Sequence, residues 1–335
     1  MNKKMTTLTR TALLASLALT TSFAVQAADE QVELKFAHWV PAKHALATLG
    51  IIPWAKSIEA ASNGSIKVSI FPSQQLGKAP DHYDMVRDGI ADMAFVNPGY
   101  QAGRFPIFGA AELPFMFQKP GPASAAVDRW YSQYAPTEMK DVKVCLAHLH
   151  IGTIHSKKAI TSPDQIRGMK IRPANGTVAQ MVNLLGGSAV QVSAPESRDA
   201  LSKGVADAIT FPWQSIASFK IDSVTKYHTD MRLYAAAFVW PINKAWYNKL
   251  SANQKAVMDD HCNNKWAAKI GADWGDYEDA GQQKITAMKG HTIVSLSDAQ
   301  VNAWKVATQP VYGQWEASMQ KLGLDGKKML AELKE

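Results

Sequence analysis

The chain carries one short pattern twice, and this repetition limits the folds that it can adopt. Residues 86–95 (VRDGIADMAF) and 201–210 (LSKGVADAIT) each indicate the end of a helix, a glycine that tolerates a left-handed backbone, a hydrophobic residue, Ala-Asp and then a strand. Because the two copies lie far apart in the chain, they predict two similar α/β lobes and not a short repeat.

Predicted strands and helices alternate around these copies, as they do in βαβ units. The sequence predicts strands over 32–38, 66–71 and 93–96, with helices over 46–62 and 81–88 between them. This alternation favours an α/β fold with a largely parallel sheet.

The last third of the chain changes character. Beyond a predicted strand at 238–243, Ser251 and Gln254 form a capping box whose helix meets no proline before Met288. Three glycines weaken the prediction that this helix is unbroken. We expect it to span both lobes, because its large aromatic residues are hard to bury against one lobe: Trp266, Trp274 and Tyr277.

The first 27 residues have the features of a secretory signal peptide. Lys3, Lys4 and Arg10 belong to a positive region, the segment 11–25 is uncharged and largely apolar, and a small-x-small motif places cleavage after Ala27. The apolar run is short for a transmembrane anchor, and no cysteine follows it. We therefore expect an exported, periplasmic protein.

Charge and motifs favour a binding protein over an enzyme or a nucleic-acid partner. The signal segment contributes part of the net charge of +7, and Lys and Arg form no cluster elsewhere. No nucleophile elbow, P-loop, GxGxxG, HExxH or zinc-type cysteine spacing is present, so no cofactor is predicted. His148, His150 and His155 are the best candidates for a metal or a general base, but no acidic residue accompanies them. An exported enzyme that uses these histidines is the less favoured alternative.

The two cysteines, Cys145 and Cys262, lie far apart in the sequence. Cys145 belongs to a predicted buried strand, and Cys262 belongs to a helical stretch. Two separately buried thiols are the favoured interpretation, although an oxidising compartment permits a disulfide bond and the sequence does not fix the distance between the residues.

Arg172 is the residue that we expect to anchor a ligand. It ends a predicted strand at 169–172 and precedes a loop, Pro-Ala-Asn175-Gly176, that leads into a helix. In open α/β sheets, ligands bind outside the carboxyl ends of the strands. A guanidinium group there can hold a carboxylate with two hydrogen bonds; the alternative is a surface arginine in a salt bridge.

Aromatic and polar residues follow other predicted strands at the point where each strand ends. Trp39 follows the first strand, and Asn97 and Tyr100 follow the third. Phe211 and Trp213 follow the strand in the second copy of the repeat. None of these segments is a predicted helix, so we expect them to lie at a crevice between the lobes.

In order and spacing, several segments resemble the substrate-binding proteins of TRAP (tripartite ATP-independent periplasmic) transporters, the DctP-like family. The most specific segment is SPDQIRGMKIR, which ends at Arg172. The other segments that carry the resemblance are 64–72, 75–77, 88–95, 112–115, 185–187 and 196–207.

This resemblance implies a two-lobed α/β periplasmic binding protein, with lobes joined by crossing strands, a ligand cleft between them and a long helix across both. It implies that Arg172 grips a ligand carboxylate, that integral membrane subunits are partners, and that an ion gradient drives transport. A receptor for a sensor kinase on the same fold stays open. We expect a monomer with lobe I at 28–149 plus 238–277 and lobe II at 150–237 plus 278–335.

Compared with sialic-acid-binding members of the family, the chain replaces polar positions by aromatic ones. Their asparagines correspond to Trp39 and Phe211, and their second arginine corresponds to Gly152 or its neighbours. We therefore expect an organic carboxylate, with an aromatic monocarboxylate ahead of an aliphatic 2-oxo acid or a C4-dicarboxylate. The remaining expected ligand contacts are His44, Asn97, Tyr100, His155, Asn175 and Trp213.

Overall fold

Ten strands form the core of the computed structural model, which describes residues 29–334. The predicted signal peptide, 1–27, and its cleavage site lie outside these residues. The strands are β1 Val32–Ala37, β2 Ile66–Phe71, β3 Met93–Ala94, β4 Val142–Ser156, β5 Lys170–Arg172, β6 Ser188–Ala189, β7 Ala208–Phe211, β8 Tyr227–Asp230, β9 Tyr234–Asn243 and β10 Thr292–Ser295. They run in the order β2-β1-β3-β9-β4-β7-β5-β6, and β8 pairs with both β4 and β10.

Thirteen α-helices surround the strands in the described part of the chain. Within residues 29–334, no helix has both the length and the apolar character needed to cross a membrane. The helices are α1 Ile52–Ala61, α2 His82–Arg87, α3 Pro120–Tyr131, α4 Ala135–Glu138, α5 Gly176–Leu184, α6 Ser197–Ser202, α7 Ser215–Ser218, α8 Lys244–Lys249, α9 Ala252–His261, α10 Asn264–Thr286, α11 Asp298–Thr308, α12 Pro310–Lys321 and α13 Gly326–Lys334.

The long strand β4 joins two groups of strands. Its first part pairs antiparallel with β9, from Val142 opposite Asn243 to Gly152 opposite Tyr234. The residues after Gly152 pair instead with β7 and β8. We call β1, β2 and β3 with their helices the first lobe, and β5, β6, β7, β8 and β10 with theirs the second lobe. The residue-level lobe bounds given above stay a prediction.

The sheet is mixed, whereas the sequence predicted a largely parallel one. Pairs within each lobe are parallel: β1 with β2 and β3, β5 with β6 and β7, and β8 with β10. Every pair that includes β4 or β9 is antiparallel. The βαβ units were visible in the sequence as local alternation, but the pairing of two distant crossing strands leaves no local pattern.

Both copies of the sequence repeat adopt the same geometry. The glycine of each copy has a positive φ angle, 76° in the first and 69° in the second. In the first copy, a carboxylate oxygen of Asp92 accepts a hydrogen bond from the backbone N–H of Lys35 at 2.8 Å. In the second copy, Asp207 does the same for Lys170 at 2.9 Å. The repeat therefore marks equivalent turns into β3 and β7, one in each lobe.

The helix predicted to continue without a break after Ser251 is two helices. α9 ends at His261, and the side chain of Asn263 caps α10 by accepting hydrogen bonds from the backbone N–H groups of Lys265 at 3.0 Å and Trp266 at 3.3 Å. An asparagine at this position satisfies N–H groups that a new helix leaves free, so it favours a fresh start over continuation.

The helix α10 touches both lobes through its glycines. A Cβ atom at Gly271 would clash with the hydroxyl of Ser124 on α3, in the first lobe. A Cβ atom at Gly281 would clash with Gln214, which precedes α7 in the second lobe. The glycines that weaken helix propensity thus allow close approach on both sides. This contact confirms the prediction that the helix spans the two lobes.

Cys145 and Cys262 form a disulfide bond, so the prediction of two separate thiols is wrong. Cys145 lies on β4, and Cys262 lies in the turn between α9 and α10, with 4.4 Å between their Cα atoms. The prediction placed Cys262 inside a continuous helix. Because the chain turns there instead, the residue faces the neighbouring strand.

Replacing both cysteines by serine should destabilise the fold without changing the ligand cleft. The bond joins residues 117 positions apart, and a disulfide that closes a long loop contributes about 2–4 kcal/mol to stability. We expect Cys145→Ser/Cys262→Ser to lower the urea midpoint while ligand affinity at low urea stays unchanged. A midpoint equal to that of the wild type would show that the bond does not stabilise this junction.

Candidate functional site

The carboxyl ends of β1, β3, β5 and β7 meet at one cavity between the lobes. The space between its lining residues is about 340 Å³, with the open solvent at its mouth included. We call it the ligand cavity. Six of the residues predicted to bind a ligand line it: Trp39, His44, Asn97, Tyr100, Arg172 and Phe211.

Arg172 is a buried cation, only 1% exposed. Its Nε donates to the carbonyl of Val192 at 2.9 Å, one Nη to the carbonyl of Thr210 at 3.4 Å, and the other Nη to the hydroxyl of Tyr100 at 3.2 Å. A guanidinium has five N–H groups, so among the described residues one N–H on each Nη has no acceptor. Two free N–H groups on one guanidinium are the kind of group that can bind a carboxylate in two-point contacts.

No acidic side chain neutralises this guanidinium within residues 29–334. The pKa of the Glu196 carboxyl is lowered, mainly by a hydrogen bond from Ser193. The charge of Arg172 contributes least to this shift. Ser193 donates to it at 2.7 Å within a helix cap. The arginines that do form ion pairs lie elsewhere: Arg87, Arg104, Arg198 and Arg232.

The loop after β3 reaches from the first lobe to the second. The side-chain amide of Asn97 donates to the carbonyl of Ala174 at 3.0 Å. The hydroxyl of Tyr100 accepts from the backbone N–H of Ala194 at 3.0 Å as well as from Arg172. Because Tyr100 accepts both bonds, its own O–H proton is free to point at a ligand.

Aromatic rings form most of the remaining wall. Trp39 packs against Phe95, with 5.0 Å between ring centroids, and against Tyr100, with 5.8 Å. The guanidinium carbon of Arg172 lies 5.5 Å from the ring centre of Phe211. Rings arranged in this way suit a flat apolar group that lies next to the anion anchor. Further aromatic lining residues were not among the predicted ligand contacts: His150, Phe219, Tyr234, Phe238 and Trp274.

His44 lines the cavity with its ring, and its nitrogens are engaged within the protein. Nδ1 accepts from the backbone N–H of Leu46 at 3.2 Å, so the proton lies on Nε2, which donates to Ser215 Oγ at 2.9 Å. Ser215 in turn donates to the buried carboxylate of Glu278 on α10. Burial lowers the pKa of His44 to about 3, so the ring is neutral.

Three buried polar atoms at the cavity have no hydrogen-bond partner among residues 29–334. They are Trp39 Nε1, His150 Nδ1 and the hydroxyl of Tyr234. The sequence did not predict Tyr234 at the site, because the strand predicted at 238–243 begins four residues after the observed start of β9. The partner strand of β9 is β4, which continues to Ser156. Extending the alternation of β4 and β9 would have placed His150 and Tyr234 at the cleft.

Asn175 supports the site from outside the cavity lining. Its side-chain oxygen caps α5 by accepting from the N–H of Val178 at 2.8 Å, and its amide donates to the carbonyl of Ala235 at 3.1 Å. A Cβ atom at Gly99 would come within 2.9 Å of its Cα, so the loop after β3 packs directly on it. The structure therefore places Asn175 at the contact between the lobes.

His155 and Trp213 also lie outside the cavity lining. Nε2 of His155 donates to the carbonyl of Phe211 at 3.0 Å, and its Nδ1 accepts from Nδ1 of His228 at 2.8 Å. Nε2 of His228 accepts from Nδ1 of His291 at 2.9 Å. The Trp213 ring packs edge-on against His155, 5.3 Å away, and lines a neighbouring cavity. These interactions use both nitrogens of His155.

The three histidines considered for a metal or a base are not assembled into one site. Trp240 donates to Nε2 of His148 at 3.1 Å, while His155 bonds within the second lobe. His150 alone lines the ligand cavity. Within residues 29–334, no group of three or more His, Cys, Asp or Glu side chains is arranged to hold a metal ion.

A sequence profile of the DctP family, bacterial extracellular solute-binding protein family 7, matches residues 36–318. The chain belongs to this family. A TRAP solute binding protein from a marine metagenome, specific for aromatic acid ligands, was solved with 3-hydroxybenzoate. It is 35% identical, covers 91% of this chain and 98% of its own, and superposes with a TM-score of 0.86.

Two further solved TRAP solute binding proteins are each 29% identical to this chain. The protein from Rhodoferax ferrireducens T118 contains copurified benzoate, with a TM-score of 0.87 over 91% of this chain and 97% of its own. The protein from Bordetella bronchiseptica contains (R)- and (S)-mandelate, with a TM-score of 0.84 over 90% and 98%. The chain is thus a two-lobed solute receptor of the TRAP type and not an enzyme, which confirms the resemblance seen in the sequence.

The histidines make stability depend on pH. Burial is the main cause that lowers the pKa of eight of the nine histidines, and it raises the pKa of five carboxyl groups, among them Asp128 to about 6. The lowered histidine pKa values outnumber the raised carboxyl ones. Below the ordinary histidine pKa of 6.5, the unfolded chain therefore binds more protons than the folded chain. The eight histidines are His38, His44, His82, His148, His150, His155, His228 and His291.

We expect the free energy of unfolding to fall as the pH is lowered from about 7 to about 5. A group whose pKa is depressed on folding destabilises the fold wherever the unfolded chain is protonated and the folded one is not. The five carboxyls act in the opposite direction but are fewer. Urea denaturation at several pH values measures the slope, and constant or rising stability on acidification would contradict this account.

Proposed function

We propose that this receptor binds an aromatic monocarboxylate in the ligand cavity and delivers it to the integral membrane subunits of a TRAP transporter. The observation that carries the proposal is Arg172, a buried guanidinium with two free N–H groups and no carboxylate partner among the described residues. A benzoate-like ligand supplies a carboxylate for this group and a flat ring for the aromatic walls.

The similar structures support this ligand class. Benzoate, 3-hydroxybenzoate and mandelate, bound in the three compared proteins, each combine one carboxylate with one aromatic ring. TRAP solute binding proteins of the same fold at 20% identity or below hold D-glucuronate or pyroglutamate. The fold alone therefore does not select the ligand, and the proposal rests on the residues that line this cavity.

Two other acids fit the cavity less well. A C4-dicarboxylate brings a second negative charge that needs its own partner, and Arg172 is the one permanently charged residue among those that line the ligand cavity. An aliphatic 2-oxo acid would satisfy Arg172 but would leave the rings of Trp39, Phe219 and Phe238 without a matching apolar surface.

We place this activity in the periplasm, after export by the signal peptide and cleavage near Ala27. The receptor would act there as a monomer. Mass spectrometry of the protein recovered from the periplasm would locate the cleavage site, and light scattering would give the oligomeric state.

A thermal-shift screen tests the ligand class. The panel contains benzoate, 3-hydroxybenzoate, mandelate, pyruvate, succinate and glucuronate. We expect the aromatic acids to raise the melting temperature most, because they fill both the anion site and the aromatic walls. Stabilisation by succinate or glucuronate with none by an aromatic acid would refute the aromatic class while leaving the receptor role intact.

Removing the Arg172 guanidinium should weaken binding of every acid. A hydrogen bond to a charged group contributes about 1.5–3 kcal/mol, so we expect Arg172→Ala to lose about ten- to hundred-fold or more in affinity by calorimetry. Arg172→Lys keeps the charge but loses the two-point geometry, so its affinity should lie between those of the wild type and Arg172→Ala. Arg198→Ala, which removes an exposed arginine, is the control. Wild-type affinity in Arg172→Ala would remove this residue from the site.

Ligand binding should also compact the protein. Asn97 and Tyr100 of the first lobe bond to the second lobe beside the cavity, so a ligand held there favours the closed arrangement. We expect benzoate to reduce the radius of gyration in solution X-ray scattering. A thermal shift without any compaction would indicate a rigid pocket.

A further inference from the structure

Tyr234 carries a hydroxyl group that the protein leaves without a partner. The residue begins β9, lines the ligand cavity and is 1% exposed. Its hydroxyl oxygen is buried and makes no hydrogen bond to any residue in 29–334. An unpaired buried hydroxyl destabilises the fold. Its position at a ligand cavity therefore points to a partner that arrives with the ligand.

Polar groups next to the phenol are already engaged. The Thr210 hydroxyl lies near enough to the Tyr234 oxygen to lower the pKa of the phenol, as a hydrogen-bond donor would. By distance and angle, however, its bonds are to other groups: it accepts from the N–H of Ala174 at 2.8 Å and donates to the carbonyl of Arg172 at 3.5 Å. A donor at Thr210 leaves the O–H proton of Tyr234 free in either case. Burial raises the pKa of the Tyr234 hydroxyl above its ordinary value, and the charge of Arg172 opposes this shift without cancelling it. The phenol therefore stays protonated, and it lines the same cavity as the guanidinium.

Gly152 provides the space that this phenol occupies. The β4–β9 ladder pairs Gly152 directly with Tyr234. A Cβ atom at Gly152 would come within 2.5 Å of the ring carbon that bears the hydroxyl and would overlap the hydroxyl oxygen itself. A side chain at position 152 would thus displace the phenol. The strand pairing and the glycine together fix where the hydroxyl lies.

We propose that the Tyr234 hydroxyl is the second donor to the ligand carboxylate, beside the two free N–H groups of Arg172. This inference rests on the proposed function and specifies how its site recognises the acid group. A carboxylate has about four lone-pair positions on two oxygens, so it can accept the arginine fork and a phenol together. Because the second donor is neutral, the site holds one positive charge and matches an acid with one carboxylate.

Tyr234→Phe tests the assignment directly, since it removes the hydroxyl and keeps the ring. Isothermal calorimetry with benzoate, 3-hydroxybenzoate and pyruvate gives the dissociation constants. We expect a loss of about ten- to hundred-fold, by the same factor for each acid that the wild type binds, because the carboxylate is their shared group. The matched control is Tyr312→Phe, whose hydroxyl donates to the carbonyl of Pro114 away from the cavity, and its affinities should stay unchanged.

Gly152→Ala keeps the hydroxyl but displaces it, so this substitution should also weaken the binding of every acid. Unchanged affinities in Tyr234→Phe would overturn the assignment whether or not Gly152→Ala folds. A loss confined to 3-hydroxybenzoate would overturn it too, because the hydroxyl would then contact the ring substituent. If the wild type binds pyruvate but no aromatic acid, the proposed ligand class fails and pyruvate decides the role of Tyr234. If no carboxylate binds, both proposals fail.

Discussion

The antiparallel pairing of β4 with β9 is the constraint on which both the lobes and the cleft depend. β4 bonds to β9 up to Gly152 and then to β7 and β8, so one continuous backbone connects the two groups of strands. The same ladder supplies the floor of the cavity through Tyr234 and Ala236. Gly152 leaves room for the Tyr234 phenol, and Ala236 adds only a methyl group to the cavity wall.

The cleft also depends on an electrostatic condition, which is how the protein buries the Arg172 guanidinium. Burying a guanidinium is costly unless other groups replace its water. Carbonyls of Val192 and Thr210 hold Arg172 from within the second lobe, and the Tyr100 hydroxyl reaches it from the first. The anchor is therefore complete when the lobes are together, and its remaining positive charge is balanced only when an anion enters. If a ligand carboxylate binds Arg172 as proposed, binding and closure are linked through this one side chain.

Much of this arrangement could be predicted from local sequence. The Gly-x-Ala-Asp repeat indicated two equivalent lobes, and the position of Arg172 after a short strand predicted that it lies at the cleft, as it does. What could not be predicted depends on contacts between distant segments. The chain turns at Cys262 and so reaches Cys145 on β4. His155 forms a hydrogen bond with His228, and no spacing in the sequence links these two residues. The Tyr234 phenol fits where it lies only because Gly152 is opposite.

The helix α10 connects the requirements of fold and site. Its glycines let it lie against both lobes, and its Trp274 ring lines the ligand cavity. One turn further along, Glu278 accepts from the indole N–H of Trp274 at 2.7 Å and from the backbone N–H groups of Gln214 and Ser215 at the start of α7. The carboxylate therefore fixes the cavity ring and the second lobe to the same helix. A shift of one lobe against α10 must change the cavity wall, so the proposed closure on a ligand would act through this helix.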